Sequence, residues 1–232
     1  MLSALAFLTV VGGARRPDER TLAWFPLVGA GIGGVLALVW LGAGELWSPL
    51  VAAALVVAVD LALTGLLHAD GLADSADGLL PHLPAERRLE VMSAPDVGGF
   101  ALAVVPAVLL LRWAALATDE VPALALVGVW AASRTVLAAV PALVPYARAE
   151  GLASPFLAGA RRWSLLWLAP AGAVLVVAAG PLGVAALVAL VAASAGVVAL
   201  ARARVGGFTG DVLGAAAVLG ETAALLALAV ER

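Results

Sequence analysis

Three aspartates, Asp70, Asp74 and Asp77, stand in one short stretch, His68-Ala69-Asp70-Gly71-Leu72-Ala73-Asp74-Ser75-Ala76-Asp77-Gly78. Their i, i+4, i+7 spacing sets the carboxylates on one face of a helix within about two turns. Three like charges so close repel one another, and without partners at least one pKa rises. No basic residue lies within eight positions on either side. A hard cation cancels the repulsion, and Mg²⁺ takes oxygen ligands that it readily shares with substrate phosphates. The stretch therefore points to a Mg²⁺ site on Asp70, Asp74 and Asp77, with Gly71 and Gly78 leaving room for a phosphate ester to approach the backbone. The alternative is a solvated helix start with acidic residues near its N-terminus. The missing basic partners favour the metal.

A second cluster, Val205-Gly206-Gly207-Phe208-Thr209-Gly210-Asp211, offers glycines whose backbone N–H groups can face a phosphate. Asp211 reads equally as the N-cap of the following helix or as a fourth carboxylate of an oxygen-rich pocket. Glu221 falls about three turns into that helix, where an ionisable group costs ~3 kcal/mol or more unless paired or hydrated. Arg134, behind Ser133, also sits inside an apolar run. It snorkels to the edge, clamps a phosphate, or pairs with Glu221 or an Asp. Asp60 faces the bundle or a water-filled cavity, Arg112 reads as an interfacial anchor, and Asp96 stands before Gly98-Gly99 at the mouth of a span.

The elements that carry these residues belong in a membrane. Hydrophobic residues make up 64% of the chain and charged ones 12%, half the ~25% of a soluble domain; mean hydropathy is +1.10. A net charge of -3 with no basic block argues against nucleic acid. All basic residues are Arg, which excludes Schiff-base and P-loop lysines, and the absence of Cys excludes thiolate chemistry. One membrane-embedded domain is expected over 1–232, with the polar stretch 68–98 as its catalytic loop.

Residues 1–13 are apolar but about half the ~20 residues of a span. Arg15 and Arg16 follow the run rather than precede it, unlike a secretory signal, so a retained interfacial or re-entrant helix is expected. Seven spans are predicted, near 24–42, 50–67, 99–117, 122–141, 164–180, 182–200 and 212–230, for an all-α polytopic fold. Seven crossings place ten arginines (15, 16, 20, 87, 88, 148, 161, 162, 202 and 204) on one side and only Arg232 on the other. That bias puts the N-terminus and the Asp-rich stretch in the cytoplasm and the C-terminus outside. Trp24 and Trp163 fall at the inner interface and Trp40, Trp47 and Trp113 at the outer one, while Trp130 and Trp167 read as packing residues. In Ala85–Met92, Leu89 and Met92 share one face opposite Arg87 and Glu90, a short amphipathic helix near the headgroups.

The Asp-rich stretch resembles the signature of the cobalamin synthase family, the adenosylcobinamide-GDP ribazoletransferases. The likeness runs in order through Phe25-Pro26-Leu27-Val28-Gly29, Thr64-Gly65, Leu89-Glu90-Val91-Met92, Ser133-Arg134, Tyr146-Ala147-Arg148 with Gly151-Leu152, and Gly207-Phe208-Thr209-Gly210-Asp211 to Gly220-Glu221. It departs at Ser93-Ala94-Pro95-Asp96, where the family carries a basic residue, an Asp and a Ser. The resemblance implies that the 3′ hydroxyl of α-ribazole, or of its 5′-phosphate, attacks the cobinamide-linked phosphorus of adenosylcobinamide-GDP. GMP leaves, and adenosylcobalamin or its 5′-phosphate forms. It implies catalytic roles for Asp70, Asp74, Asp77 and Asp211, and substrate contacts from His68, Gly71, Gly78, Arg134, Arg148, Gly207, Thr209, Gly210 and Glu221. Displacement between anionic partners needs charge neutralisation more than covalent catalysis, which suits Mg²⁺.

Such an enzyme would sit in the bacterial inner membrane, alone, as a homo-oligomer or beside other cobalamin-assembly enzymes. A CDP-alcohol phosphotransferase also sets Asp residues on membrane helices, but its Asp-Gly-x-x-Ala-Arg pattern is missing here. A transporter would use Asp60, Arg134 and Glu221 along a pathway; the short, featureless outer loops speak against that.

Overall fold

A chain this apolar must satisfy its backbone hydrogen bonds internally, and helices do so within each segment. The computed structural model describes residues 1–148 and 154–230, with backbone only over 154–156; Gly151, Leu152 and Arg232 lie outside the described residues. The helices are α1 (Leu2–Leu8), α2 (Phe25–Gly44), α3 (Pro49–Leu63), α4 (Leu67–Leu79), α5 (Ala85–Val91), α6 (Gly99–Ala117), α7 (Ala123–Ala139), α8 (Leu168–Ala179), α9 (Pro181–Val205) and α10 (Gly210–Leu228). Among the described residues, six stretches are long and apolar enough to cross a bilayer: Leu22–Gly44, Gly99–Ala117, Ala123–Ala142, Arg162–Ala179, Pro181–Val205 and Gly210–Leu228. The architecture is the expected all-α polytopic one. Gly180, at φ 57°, makes the tight turn between α8 and α9.

The second predicted span, 50–67, is not continuous. α3 has 15 residues, about 22 Å of rise against a hydrocarbon core of ~30 Å. Gly65 and Leu66 then take left-handed φ values of 59° and 62°, which no helix continues through. α4 leaves at 88° to α3. The segment after α1 secures the corner, because Val10 N–H donates to Leu63 O at 2.9 Å. α1 itself is packed inward on α2, with Ala4 and Leu8 fully buried. α4 carries three Asp in 13 residues, so it is no span; it packs on α10 and α6.

Four charges inside the bundle hold its helices together. Arg112 Nη1 donates to Asp60 Oδ2 at 2.6 Å, and its Nη2 donates to Glu221 Oε2 at 2.8 Å and Val218 O at 3.1 Å. Arg134 Nη1 donates to Glu221 Oε1 and, at 2.9 Å, to Ser133 Oγ. Trp130 Nε1–H completes Asp60 at 3.0 Å, and the Arg112 guanidinium lies 5.5 Å from the Trp130 ring centre. The network joins α3, α6, α7 and α10, and its two positive and two negative charges cancel. Arg112 is thus no interfacial anchor: it is 2% exposed. Its neighbour Trp113, with Nε1–H on Leu50 O at 2.9 Å, is the exposed one. Removing one member strands the others in a dry interior. Glu221→Ala should destabilise the fold by about 3–5 kcal/mol, read as a large drop in melting temperature in detergent micelles. Breaking the exposed Arg87–Glu90 pair should change stability by less than about 1 kcal/mol.

Candidate functional site

The site forms where α4 crosses the first turn of α10. A Cβ on Gly71 would stand 2.8 Å from Asp211 O, 3.1 Å from its Cα and 3.2 Å from Gly214 Cα. Only a residue without a side chain lets two backbones approach so closely. The contact sets Asp70 and Asp74 of α4 beside Asp211 of α10. Thr209 is the N-cap of α10: its Oγ1 accepts from Val212 N–H at 3.3 Å and donates to Asp211 Oδ2 at 3.1 Å. Of the two sequence readings of Asp211, the cap therefore falls to Thr209, and Asp211 joins the carboxylates.

Arg148 is brought to the same place by backbone pairing of two loops. Ala147 N–H donates to Phe208 O at 2.8 Å and Phe208 N–H to Pro145 O at 3.0 Å, while the Tyr146 and Phe208 rings meet edge to face at 5.2 Å. Arg148 Nη2 then reaches Asp211 Oδ2 at 3.1 Å and Met92 O at 3.2 Å. Its Nε is buried without a hydrogen-bond partner. Burial, and after it the charges of Asp211 and Asp70, push the Asp74 carboxyl up to about 7 against the opposing pull of Arg148. Asp70, Asp74, Asp211 and Arg148 are therefore one electrostatic unit, open to solvent through the exposed Asp70.

Asp77 lies elsewhere. Its Oδ2 accepts from Gly98 N–H at 2.6 Å and its Oδ1 from Ala101 N–H at 3.0 Å, so both oxygens are spent on the N-terminus of α6. An anion there offsets the positive end of the helix dipole. Among the described residues, no three His, Cys, Asp or Glu side chains stand close enough to form a ready-made metal cage. The α4 triad expected from spacing alone is thus divided: Asp70 and Asp74 turn to Asp211, and Asp77 turns to α6.

The remaining candidates sort by what surrounds them. Gly78 is packed under Met92, and Gly207 under the Pro145 carbonyl. Both permit close packing, like Gly71. Gly210 has open space where a side chain would be. It lines a cavity with Asp70, Asp211, His68, Phe7 and Phe25. His68 is 6% exposed, with Nδ1 buried and unpartnered, and it also borders the four-charge network. Arg134 and Glu221 are each 1% exposed and engaged with one another, so of the alternatives open in the sequence it is pairing that the structure displays. Sequence reasoning missed Arg88, which is buried and donates to the Gly78 and Leu79 carbonyls at 2.8 and 2.9 Å, closing the end of α4. It missed the Asp60–Arg112 partnership as well, although matching depth on three helices was a usable signal.

Residues 1–229 match the family model described as cobalamin-5-phosphate synthase. Among curated proteins, the adenosylcobinamide-GDP ribazoletransferase of Leptothrix cholodnii is 41% identical, over 87% of this chain and 81% of that protein. The enzyme of the same name from Stutzerimonas stutzeri is 39% identical over 100% of this chain and 98% of its own length, and that of Chlorobaculum parvum is 38% identical over 96% and 92%. No solved structure matches.

The raised Asp74 value has a measurable consequence. The ordinary value is 3.8 and the folded one about 7, so the folded protein holds this proton more tightly. Stability from this group is complete below pH ~4, falls as pH rises toward about 7, and is level above. In chelator-treated buffer, the melting temperature of Asp74→Asn relative to the parent should climb over that window and then flatten. Gly71→Ala should prise α4 from α10 and return the Asp74 titration toward its ordinary range, followed by the same pair of melts.

Proposed function

The chain belongs to the cobalamin-5-phosphate synthase family, and from that premise we propose that it joins adenosylcobinamide-GDP to α-ribazole or its 5′-phosphate, releasing GMP. The observation that supports this reading is the crowding of Asp70, Asp74 and Asp211 at the α4–α10 crossing with Arg148 beside them. Displacement at a diphosphate brings anions together, and a site for it must supply both positive charge and a proton acceptor.

The hydroxyl oxygen of the acceptor forms a bond to the cobinamide-linked phosphorus. The bond from that phosphorus to the bridging oxygen breaks, and this oxygen departs with GMP. Asp211, beside Asp74 at the crossing and outside the pair that would hold the metal, is suited to take the hydroxyl proton. Asp211 is oriented by Thr209 and Arg148, and the guanidinium of Arg148 offers positive charge to the phosphates from the same side. Direct transfer is the reading this supports, because among the described residues no nucleophile–base pair stands at this site to form a covalent intermediate.

Mg²⁺ fits the donor set, which is all hard oxygen with unrelieved like-charge repulsion. Such an ion commonly takes one or two carboxylates and completes its shell with phosphate and water, so a ready-made cage is not required. Asp70 and Asp74 would hold it, with Asp211 adjacent, and when bound it would neutralise charge on the diphosphate. Asp77 is not part of that set.

The arginines at the α4 end of the bundle support a cytoplasmic orientation of the site in a bacterial inner membrane, N-terminus in and C-terminus out. The transporter reading loses its basis, since Asp60, Arg134 and Glu221 are consumed in mutual pairing. Homo-oligomers or association with other assembly enzymes stay compatible with the exposed apolar flanks.

Purified protein in liposomes, given adenosylcobinamide-GDP and α-ribazole, should release GMP and form cobalamin only with Mg²⁺ present. Asp70→Asn, Asp74→Asn and Asp211→Asn should each lower kcat/KM by about 100-fold or more. Asp77→Asn should instead lower stability by about 1 kcal/mol and retain turnover. Full activity in Asp74→Asn would overturn the assignment of the carboxylates, and absence of GMP release from the folded parent would overturn the reaction.

A further inference from the structure

At the opposite end of α4 from His68, a cavity of about 380 Å³ opens between α4, α5 and the start of α6. Asp77 belongs to its lining, on the same helix as Asp70 and Asp74. From Asp74 to the end of α4 at Leu79 the helix rises only about 7.5 Å. That is a reach that one phosphate and a ribose can span. Three further lining groups decide what fits: Arg87, Glu90 and Phe100.

Arg87 Nη1 and Glu90 Oε2 are 2.6 Å apart, with side chains 62% and 63% exposed. An exposed pair of this kind contributes little to stability, and both groups keep donor and acceptor capacity free. Side by side they present a hydrogen-bond donor next to an acceptor. The edge of guanine offers the complement, an O6 acceptor next to the N1–H and N2–H donors. Adenine presents the reverse order, an amino donor beside an N1 acceptor, and would set donor against donor. Phe100, 45% exposed, supplies an aromatic face of the kind on which a base stacks. Asp96 adds a third carboxylate to the lining, after Asp77 and Glu90.

The geometry points to this cavity as the guanine subsite of the nucleotide donor, with Arg87 reading O6 and Glu90 reading N1–H and N2–H. The inference rests on the reaction proposed above and assigns its leaving group a place: the diphosphate lies along Asp70 and Asp74, and the guanosine lies over α5. It gives the segment 85–100 a specificity role that its sequence departure at Ser93–Asp96 left open.

The test uses the full chain in liposomes. KM for adenosylcobinamide-GDP, KM for α-ribazole and inhibition by GMP and AMP are measured for the parent, Arg87→Ala, Glu90→Ala and Asp96→Asn. The parent should be inhibited more strongly by GMP than by AMP. Arg87→Ala and Glu90→Ala should raise KM for the GDP-linked donor about 10-fold, leave KM for α-ribazole within about 2-fold, and abolish the preference for GMP. Glu90→Asp should restore part of that preference. Both side chains are exposed, so the variants should melt like the parent. Unchanged donor KM and an unchanged GMP-to-AMP ratio in both alanine variants would overturn the subsite. Equilibrium dialysis of GMP and AMP separates the two claims. A protein that turns nothing over but still prefers GMP keeps the subsite and loses the reaction; one that turns over without preference does the opposite.

Discussion

The arrangement depends on one buried interaction, the alternation of Asp60, Arg112, Glu221 and Arg134 within the bundle. Each of these side chains alone would carry a heavy desolvation cost in an apolar interior. Together they form a neutral set in which every charge faces its opposite, with the Trp130 N–H and the Val218 carbonyl taking up further valences and Arg134 Nε left without a hydrogen-bond partner. Such a network adds little net stability compared with apolar packing, but it is intolerant of a missing partner. Its consequence is geometric. α3, α6, α7 and α10 are locked in relative height, and Asp60 holds the end of α3 at the level where the chain must turn.

That turn makes the site possible. Because α3 stops at Leu63, the next helix starts within the bundle and runs across it, with α10 against one part of its length and the N-terminus of α6 against another. The acidic face of α4 is thereby shared between two neighbours. α6 takes Asp77 and uses it as a counter-charge for its own dipole. α10 brings Asp211, which adds to the repulsion rather than relieving it. One helix thus carries a structural carboxylate and two that stay uncompensated.

Much of this was legible in the chain. The spacing of Asp70 and Asp74 and the resemblance of the Thr209–Asp211 segment singled out residues that the fold brings to one crossing, and the apolar runs gave most helices to within a few residues. What escaped depended on contacts between distant segments. Nothing local marks Leu66 as left-handed, since a leucine carries no signal for positive φ. Arg112 was read as an interfacial anchor, whereas its partners lie 52 and 109 residues away. The fate of Asp77 hung on where the start of α6 would land. Gly71, Gly78 and Gly207 announced a close approach correctly, but a glycine reports only that something comes near. Here backbones and a methionine side chain come near.

The two charge clusters differ in a way that explains their roles. In the deep one, each charge faces its opposite, so the cluster serves to hold shape. In the shallow one, three carboxylates face a single guanidinium, and burial first, with that imbalance after it, pushes the Asp74 carboxyl up to about 7. Repulsion of that kind disfavours the fold unless something else fixes the helices, and the deep network together with the α4–α10 backbone contact does so. The unrelieved negative charge is then available to whatever positive or proton-bearing group enters from solvent. A scaffold secured by paired charges in the membrane interior is what allows unpaired ones to persist at its edge.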